Sequence, residues 1–180
     1  QMCIRDSPDT IWPLATGTAE DLDGVVKLLH DEHVRRYLCD DVLLPREAVT
    51  AMLVRSDRLN TQGLGLWILE RGREGFAGIA GLEPVSAEVG TSAGMAGGVE
   101  PIIALGPDCW GQGLASAGLA AVVRYARDTL GLPRLVAAVD QPNARSHRLL
   151  ERCGFAVIGT APGPAHDLIL YELPFHETYG

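Results

Sequence analysis

The chain has 180 residues, 47% of them hydrophobic, and a formal net charge of −8. A chain of this length and apolar content can bury one sizeable core, so we expect a single domain over residues 9–176. The acidic charge argues against nucleic acid or an anionic membrane as a partner for the molecule as a whole. No apolar run reaches the length that a transmembrane helix needs.

The first eight residues contain the stretch "QMCIRDS", which fits no helix or strand pattern, and we expect them to be a non-native or disordered leader. The four cysteines have no paired spacing and the five histidines have no metal-ligand spacing. We therefore expect a reduced, cytoplasmic protein without metal, whose histidines lie at surface or capping positions. These residues are Cys3, Cys39, Cys109 and Cys153, and His30, His33, His147, His166 and His176.

The first half of the chain predicts two helices and a hairpin. Thr18 precedes "AEDLDGVVKLLHDE", whose apolar spacing predicts a helix with Thr18 as its N-cap. Pro45 suits the first position of a second helix over "PREAVTAMLVRSDRL". The stretch "GLGLWILERGREGFAGIAGLEPV" predicts an antiparallel hairpin. The Gly-rich segment "SAEVGTSAGMAGG" that follows carries no detectable chemistry.

The second half predicts alternating strands and helices. Strands over "VEPIIALGP" and "RLVAAVD" flank a helix from Leu114 to Leu130, and a short helix over "NARSHRLLERCGF" follows. The stretches "AVIGT" and "DLILYELPF" predict two closing strands. This order indicates an α/β fold of the α+β type, with a mixed, mostly antiparallel twisted sheet flanked by helices.

The stretch "CWGQGLASAGL", where a predicted strand leads into a predicted helix, consists mainly of glycine, alanine and serine. Gly111 and Gly113 let a backbone approach a ligand without a Cβ, and the N–H groups of a helix start attract anions. Residues 110–153 also contain six arginines against three acidic residues, a local charge of +3. The pattern favours a diphosphate at this turn. Tight packing of the helix on the sheet is the lesser alternative for the small residues, and a solvated arginine-rich helix face would equally account for the charge.

Three phosphate-binding patterns compete for this turn. A P-loop is excluded, because Leu114 stands where that motif requires lysine. A dinucleotide-binding fingerprint would combine Gly111, Gly113 and Ser116 with Asp140 as the ribose ligand. Its third glycine is missing, and too few residues follow Asp140 for the rest of a doubly wound sheet. An oxidoreductase fragment is therefore a minor alternative.

The third pattern is a resemblance to a known family. The stretch "PDCWGQGLASAGL", followed by "NARSHRLLERCGF", resembles the acetyl-CoA motif of the GNAT N-acetyltransferases, in particular the RimJ/RimL-like branch that acetylates ribosomal-protein N-termini. The stretches "VRRYL", "GLGLWILE", "FAGIAGLEPV" and "LGLPRLVAAVDQPNARS" follow the order of that family, so the resemblance extends over most of the chain. It implies a GNAT fold in which two parallel central strands, here "VEPIIAL" and "RLVAAVD", splay apart around acetyl-CoA.

The resemblance also implies which residues bind acetyl-CoA. Main-chain groups of the first splayed strand would contact the acetyl carbonyl and the pantetheine amides, and the backbone of the glycine-rich turn would hold the pyrophosphate. Asn143 would contact the pantetheine arm; it also suits a helix N-cap, and the two roles are compatible. The implied binding residues are Ile103, Ala104, Leu105, Trp110, Gly111, Gln112, Gly113, Leu114, Ala115 and Asn143.

The implied reaction is the attack of a neutral amine on the thioester, which needs a base, an N–H group for the oxyanion and an acid for the leaving thiolate. Glu100 aligns with a glutamate of relatives and is the candidate base, through a water molecule; a solvated strand-end carboxylate is the alternative. The resemblance to the branch implies that Ser146 is the acid that protonates the leaving thiolate, and Leu150 stands where other GNAT enzymes have a tyrosine for this step. Ser146 shares a helix face with Leu149 and Leu150, so its hydroxyl is expected to face the core. A bond to its own helix is the alternative.

Two residues depart from the pattern of the branch. Ala117 stands where the branch has glutamate, and Pro101 interrupts the first splayed strand, although proline belongs at an edge or a bulge. A bulge there fits the opening of the two strands, and a degraded site is the alternative.

These residues predict an acetyl-CoA-dependent N-acetyltransferase that acetylates a primary amine, either a protein N-terminal α-amine or a small molecule, by direct transfer. The alternative is a catalytically silent acyl-CoA-binding module that acts as a sensor. By resemblance, Arg35, Arg36 and Tyr37 lie on the acceptor side and are candidates for recognising an acidic acceptor; a solvated helix end is the favoured alternative. We expect a monomer or homodimer without nucleic-acid or membrane partners.

Overall fold

The structure, a computed structural model, describes residues 11–13, 19–71, 75–85 and 94–175. The expected leader, the expected N-cap Thr18 and most of the Gly-rich segment lie outside these residues. None of the helices within the described residues is long and apolar enough to cross a bilayer. In chain order the elements are β1 (Ile11–Pro13), α1 (Ala19–His30), α2 (Glu32–Leu38), α3 (Arg46–Asn60), β2 (Gly65–Glu70), β3 (Phe76–Pro84), β4 (Val99–Leu105), α4 (Leu114–Asp128), β5 (Arg134–Asp140), α5 (Ala144–Arg152), β6 (Ala156–Ala161) and β7 (Leu168–Pro174).

The chain divides into two compact units. The first unit comprises the described parts of residues 1–83 and 102–118, and the second comprises those of residues 84–101 and 119–180. The boundaries fall before the last residue of β3 and inside β4 and α4, so each of these elements contributes to both units.

The first unit is built on a four-stranded sheet in the order β1-β2-β3-β4. β2 and β3 pair in antiparallel register with Ile68 opposite Ile79, which confirms the predicted hairpin. Leu66 and Ile68 lie on the same side of β2 and pack into a core with residues of α1 and α3. The buried Ser56 of α3 accepts a hydrogen bond from the Leu66 N–H (2.8 Å), which ties the start of β2 to the helix.

The second unit is built on a three-stranded antiparallel sheet in the order β5-β7-β6. β5 pairs with β7 along its whole length, from Arg134 opposite Pro174 to Asp140 opposite Leu168. Apolar side chains of both strands form the core of this unit. On α5 the buried side chain is that of Leu150.

These two sheets with their helices confirm the predicted α/β class. The strands that the resemblance expects to splay apart, β4 and β5, belong to different sheets, and no pairing joins them within the described residues. β4 is the last strand of its sheet, so Pro101 stands in an edge strand. Proline is tolerated there, because a missing N–H need not interrupt a ladder between two central strands.

Helix boundaries differ from the prediction at two places. The sequence pattern extends the first helix through Glu32, but a separate helix of seven residues, α2, begins there. The Asp31 side chain causes the break, because it accepts hydrogen bonds from the N–H groups of His33 (2.9 Å) and Val34 (3.3 Å) and so starts a new helix. Pro45 is the N-cap of α3 instead of its first residue, with an extended ψ of 155°.

Candidate functional site

The glycine-rich turn connects the end of β4 to the start of α4. A short 3-10 turn over Pro107–Cys109 follows the strand, and Gly111 and Gly113 then adopt φ angles of +74° and +84°. L-residues rarely occupy this left-handed region, whereas glycine enters it at little cost. The glycines at these two positions are therefore needed for the path of the turn itself.

The same glycines face open space. A Cβ added to Gly111 or Gly113 would meet no atom within 4 Å, and both residues are exposed. Gly118 differs, because its Cβ would lie 3.3 Å from the Leu69 side chain and 3.6 Å from that of Ile103. Tight packing of the helix on the sheet thus explains Gly118, and it does not explain the two glycines of the turn.

The start of α4 has N–H groups that no intrahelical hydrogen bond uses. The Gly113 carbonyl oxygen accepts the hydrogen bond of the Ala117 N–H at 3.0 Å, so Gly113 is the N-cap, and a glycine has no side chain to cap with. The N–H groups of Leu114, Ala115 and Ser116 precede the first intrahelical bond. The first turn also contains no acidic residue. Bare N–H groups and the positive end of the helix dipole together favour an anion.

Side chains brace the turn at both ends. The Trp110 indole Nε1–H donates to the Leu105 carbonyl oxygen (2.9 Å), which ties the turn to the end of β4. The Gln112 Nε2–H donates to the Asp108 carbonyl oxygen (2.9 Å), and Gln112 Oε1 accepts from Arg71 Nη1 (2.8 Å). Gln112 therefore uses its side chain within the protein, and its backbone is the part that a ligand would meet.

The strand residues predicted to face acetyl-CoA lie on β4, directly before this turn. Ile103 is half-buried, whereas Ala104 and Leu105 are buried. A Cβ added to Gly78 of β3 would collide with the Ala104 carbonyl oxygen and lie 2.8 Å from Leu105 Cα. Gly78 thus permits the close approach of the two strands. Its importance was not predicted from the sequence, although a glycine inside a strand is a signal of close backbone approach.

The remaining predicted residues belong to the second unit. Glu100 is half-buried on β4, beside Pro101. Asn143 is half-buried at the start of α5, where its Oδ1 accepts the Ser146 N–H (3.2 Å), so the capping role predicted for it is confirmed. Ser146 is also half-buried, at the edge of the apolar helix face and not within the core. Among the described residues its hydroxyl makes no bond to its own helix, unlike that of Thr50, which donates to the Arg46 carbonyl oxygen.

One residue next to Ser146 makes a contact that its sequence context did not predict. His147 Nδ1 lies 2.8 Å from the Tyr171 hydroxyl, and His147 Nε2 lies 3.2 and 3.1 Å from the carbonyl oxygens of Asp140 and Gln141. His147 is half-buried and its ring bonds carbonyl oxygens where β5 ends, which agrees with the expected surface or capping position. The signal for this half-buried position was its spacing, since His147 and the buried Leu150 are three residues apart on one helix face.

The structure also describes the surroundings of Asp140, of Arg35 and of the side chains that could bind a metal. Asp140, the ribose ligand of the oxidoreductase alternative, is 9% exposed, which leaves it poorly placed to bind a ribose. Arg35 donates to Asp41 Oδ1 (2.9 Å) and to the His30 carbonyl oxygen (3.1 Å), so its guanidinium is used within its own segment. In the part of the chain that the structure describes, no group of three or more metal-ligating side chains comes together.

The sequence matches a known family over most of its length. Residues 14–156 match the family profile described as an acetyltransferase (GNAT) domain. This match covers well over half of the chain, including the glycine-rich turn and the start of α5.

Solved structures share the fold over nearly the whole chain. A GNAT-family acetyltransferase from Bordetella pertussis is 21% identical with a TM-score of 0.79, covering 96% of this chain and 99% of that chain. A spermidine N-acetyltransferase from Vibrio cholerae, in complex with CoA and spermine, is 16% identical with a TM-score of 0.73, covering 94% and 96%. A ribosomal-protein-alanine N-acetyltransferase from Brucella melitensis is 22% identical with a TM-score of 0.69, covering 88% and 97%. At these identities the likeness shows the fold alone.

Proposed function

The chain belongs to the acetyltransferase (GNAT) family, and on that premise we propose that it transfers an acetyl group from acetyl-CoA to a primary amine. The acceptor class is a protein N-terminal α-amine, as in the RimJ/RimL-like branch that the sequence resembles. The amine attacks the thioester directly, and CoA leaves as a thiol. We place the reaction in the cytoplasm, in keeping with the scattered cysteines.

The observation that carries this proposal is the glycine-rich turn. Gly111 and Gly113 hold left-handed φ angles, face open space and lead into a helix start without a side-chain cap. A diphosphate accepts hydrogen bonds from several N–H groups at once and carries the negative charge that a helix N-terminus favours. The backbone of residues 110–115 therefore suits the diphosphate of acetyl-CoA. Side chains at Gly111 or Gly113 would occupy the space in front of these donors.

Two further segments are proposed to bind the rest of acetyl-CoA. Main-chain groups of Ile103, Ala104 and Leu105 would bind the pantetheine arm and the acetyl carbonyl. The Leu105 carbonyl oxygen also accepts the Trp110 indole bond, which fixes this strand end relative to the turn. Asn143 would contact the pantetheine arm through its side-chain amide, whose Nδ2 donors are not needed for the helix cap, since the cap uses Oδ1.

Glu100 and Ser146 are proposed to move protons. Glu100 would take the proton of the attacking amine through a water molecule, and Ser146 would protonate the departing thiolate. Both side chains are half-buried, which combines access to a ligand with partial shielding from bulk water. Without a bond back to its own helix in the described residues, the Ser146 hydroxyl is available for this role.

Two of the cysteines, Cys39 and Cys153, are poorly suited to form a covalent intermediate, in keeping with direct transfer. Burial raises the pKa of the Cys39 thiol, and the neighbouring Asp40 raises it further. Burial also raises the pKa of the Cys153 thiol, against a smaller lowering effect of Arg152. Both thiols are therefore protonated at neutral pH, and a protonated thiol is a poor nucleophile for forming an acyl-cysteine intermediate.

The segment between α2 and α3 supports an amine acceptor over an acidic one. By resemblance it lies on the acceptor side, and it carries the exposed Asp40 close to Val42 and Leu43, which are 54% and 60% exposed, whereas Asp41 is paired with Arg35. Carboxylates attract the ammonium form of an amine, and exposed apolar side chains suit an apolar neighbour of that amine. A polyamine is the second candidate acceptor, since a similar structure is a spermidine N-acetyltransferase in complex with spermine.

An acceptor screen tests the proposal. Acetyl-CoA is supplied with peptides beginning with Ala, Ser or Met, with polyamines and with aminoglycosides, and the released thiol is measured. Thiol release with an N-terminal peptide supports the proposed acceptor, and release with polyamines alone identifies the second candidate. Calorimetry with the inert analogue desulfo-CoA separates the silent sensor, which would bind the analogue and release no thiol.

Two variants test the proposed proton-transfer groups. Glu100→Gln and Ser146→Ala should each lower kcat by about tenfold or more and leave the affinity for desulfo-CoA unchanged, because a proton-transfer group acts in the transition state. Glu47→Gln, an exposed glutamate on α3, is the matched control and should keep the wild-type kcat. Unchanged kcat in Glu100→Gln or Ser146→Ala would remove that residue from the mechanism.

A further inference from the structure

The first turn of α5 is held by three hydrogen bonds of one side chain. The His147 ring reaches the Tyr171 hydroxyl of β7 through Nδ1 and the two carbonyl oxygens at the end of β5 through Nε2. The two rings also lie against each other, with centroids 5.8 Å apart. Tyr171 is 2% exposed, so its hydroxyl belongs to a fixed part of the second unit.

The neighbours of His147 define which ring nitrogen carries its proton. Carbonyl oxygens only accept hydrogen bonds, so Nε2 is the protonated nitrogen and donates to Asp140 and Gln141. In the neutral ring Nδ1 is then an acceptor, and the Tyr171 hydroxyl donates to it. Both ring nitrogens of His147 and the Tyr171 hydroxyl therefore have hydrogen-bond partners.

We propose that Tyr171 and His147 are positioning residues that fix the first turn of α5, and with it the side chains of Ser146 and Asn143. This inference rests on the proposed function for its catalytic meaning, since Ser146 is the proposed acid. Leu150 anchors the last turn of the helix in the core, and the His147 contacts anchor its start. An anchor one residue from Ser146 restricts the direction of the serine hydroxyl, and small displacements of a reacting group are costly in rate.

The alternative is that His147 and Tyr171 only stabilise the second unit. The two possibilities differ in where the effect of a variant is felt. Tyr171→Phe removes one hydroxyl and keeps the buried ring, so the fold is expected to survive. A positioning role then predicts a local change at the start of α5, whereas a general role predicts an equal change along the whole helix.

Amide hydrogen exchange tests the anchor without reference to activity. In Tyr171→Phe the Ser146 amide, which is bonded to Asn143 Oδ1, should exchange about tenfold faster, while the Cys153 amide at the other end of α5 keeps its rate. Tyr125→Phe, the same change on α4, is the matched control and should leave the Ser146 amide unchanged. An unchanged Ser146 amide in Tyr171→Phe, or equal acceleration at both ends, overturns the inference.

Steady-state kinetics test whether the contact of His147 with Tyr171 positions Ser146. Tyr171→Phe should lower kcat by about fivefold in the wild-type background and by less than about twofold in the Ser146→Ala background, because residues that act as a unit are not additive. An equal loss in both backgrounds overturns the positioning of Ser146. His147→Leu removes all three bonds and should lower kcat at least as much as Tyr171→Phe, and His147→Gln, which keeps an N–H donor near the position of Nε2, should recover part of kcat.

Failure of the proposed function is distinguishable from failure of the anchor. A chain that turns over no amine, or a Ser146→Ala variant with wild-type kcat, removes the catalytic meaning from both proposals. The exchange rates still decide the anchor in that case, since they require neither substrate nor turnover. Unchanged exchange with a large Ser146→Ala effect gives the reverse result, a correct function with no anchor.

Discussion

Two strand-to-helix turns of this chain start their helices in opposite ways. β4 leads into α4 through Gly113, which accepts the first helical hydrogen bond and has no side chain. β5 leads into α5 through Asn143, whose side chain caps the helix, and His147 ties the same turn to the sheet. The first helix start has no side chain at its N-cap, whereas the second has a side-chain cap that accepts the Ser146 N–H.

The difference indicates what each turn is built to do. The N–H groups at a helix start without a side-chain cap need a ligand or solvent to accept from them, so the first turn suits an anion that arrives and leaves. A capped and anchored turn gains rigidity, so the second turn suits the fixed presentation of a side chain such as Ser146. Similar local topology thus supports binding in one unit and positioning in the other.

A side-chain cap added to the first turn is expected to have the largest effect on binding. Gly113→Asp places a carboxylate in front of the exposed N–H groups, where it would accept from them and repel a diphosphate. We expect the affinity for acetyl-CoA to fall by about 100-fold, or about 2.7 kcal/mol. Calorimetry with desulfo-CoA measures this loss.

Gly113→Asn is the matched control for that charge. Asparagine has nearly the same size, can cap the helix and tolerates a positive φ better than most residues. It should weaken binding by about tenfold through the added side chain alone. Equal affinities in the Asp and Asn variants would show that charge plays no part, and wild-type affinity in both would remove the turn from the binding site.

The next largest effect is expected from a change that displaces β4, the strand before the first turn. In Gly78→Ala the new Cβ would collide with the Ala104 carbonyl oxygen, so β3 and β4 must separate. We expect a loss of about 2 kcal/mol in the free energy of unfolding, together with weaker binding of acetyl-CoA. Urea denaturation measures the first effect. Gly159→Ala on β6, where a Cβ would meet no atom within 4 Å, should change neither quantity.

Two variants separate the capping role of Asn143 in the second turn from its proposed contact with the pantetheine arm. Asn143→Ala removes the cap of α5 and should cost about 1 kcal/mol of unfolding free energy. Asn143→Ser restores a capping oxygen but lacks the amide donors proposed to contact the pantetheine arm. Serine should therefore recover the stability in urea denaturation and still show a raised KM for acetyl-CoA. A normal KM in Asn143→Ser would restrict Asn143 to the cap.

Much of the fold could be predicted because its signals are local. The hairpin of β2 and β3, the strand Arg134–Asp140 and the cap at Asn143 follow from alternation, β-branched residues and capping preference within a few residues. The division of α1 and α2 was missed, since it depends on the side-chain conformation of Asp31 and not on apolar spacing. Residue patterns also say little about which strands share a sheet, and β4 and β5 lie in different ones.

The site was predictable where glycine and helix chemistry dictate it and unpredictable where distant segments meet. Gly111 and Gly113 were identified from the sequence, because their effect is exerted on their own backbone. Gly78 and the contact of His147 with Tyr171 depend on residues more than twenty positions apart, which no local pattern reports. Arg71 is a similar case, since Gln112 is 41 positions away from it.

The brace formed by Gln112 gives the smallest expected effect. Gln112→Ala removes the bond to the Asp108 carbonyl oxygen and the bond from Arg71, both of which are exposed. Exposed hydrogen bonds contribute little, so the affinity for desulfo-CoA should fall only about threefold, with Gln62→Ala, an exposed glutamine of the first unit, unchanged. If Arg71 acts only through this brace, the double variant Arg71→Gln with Gln112→Ala binds as weakly as Gln112→Ala alone. A further loss in the double variant would mean that the arginine contributes to binding independently of the brace, and the first turn would then use a side chain as well as its backbone.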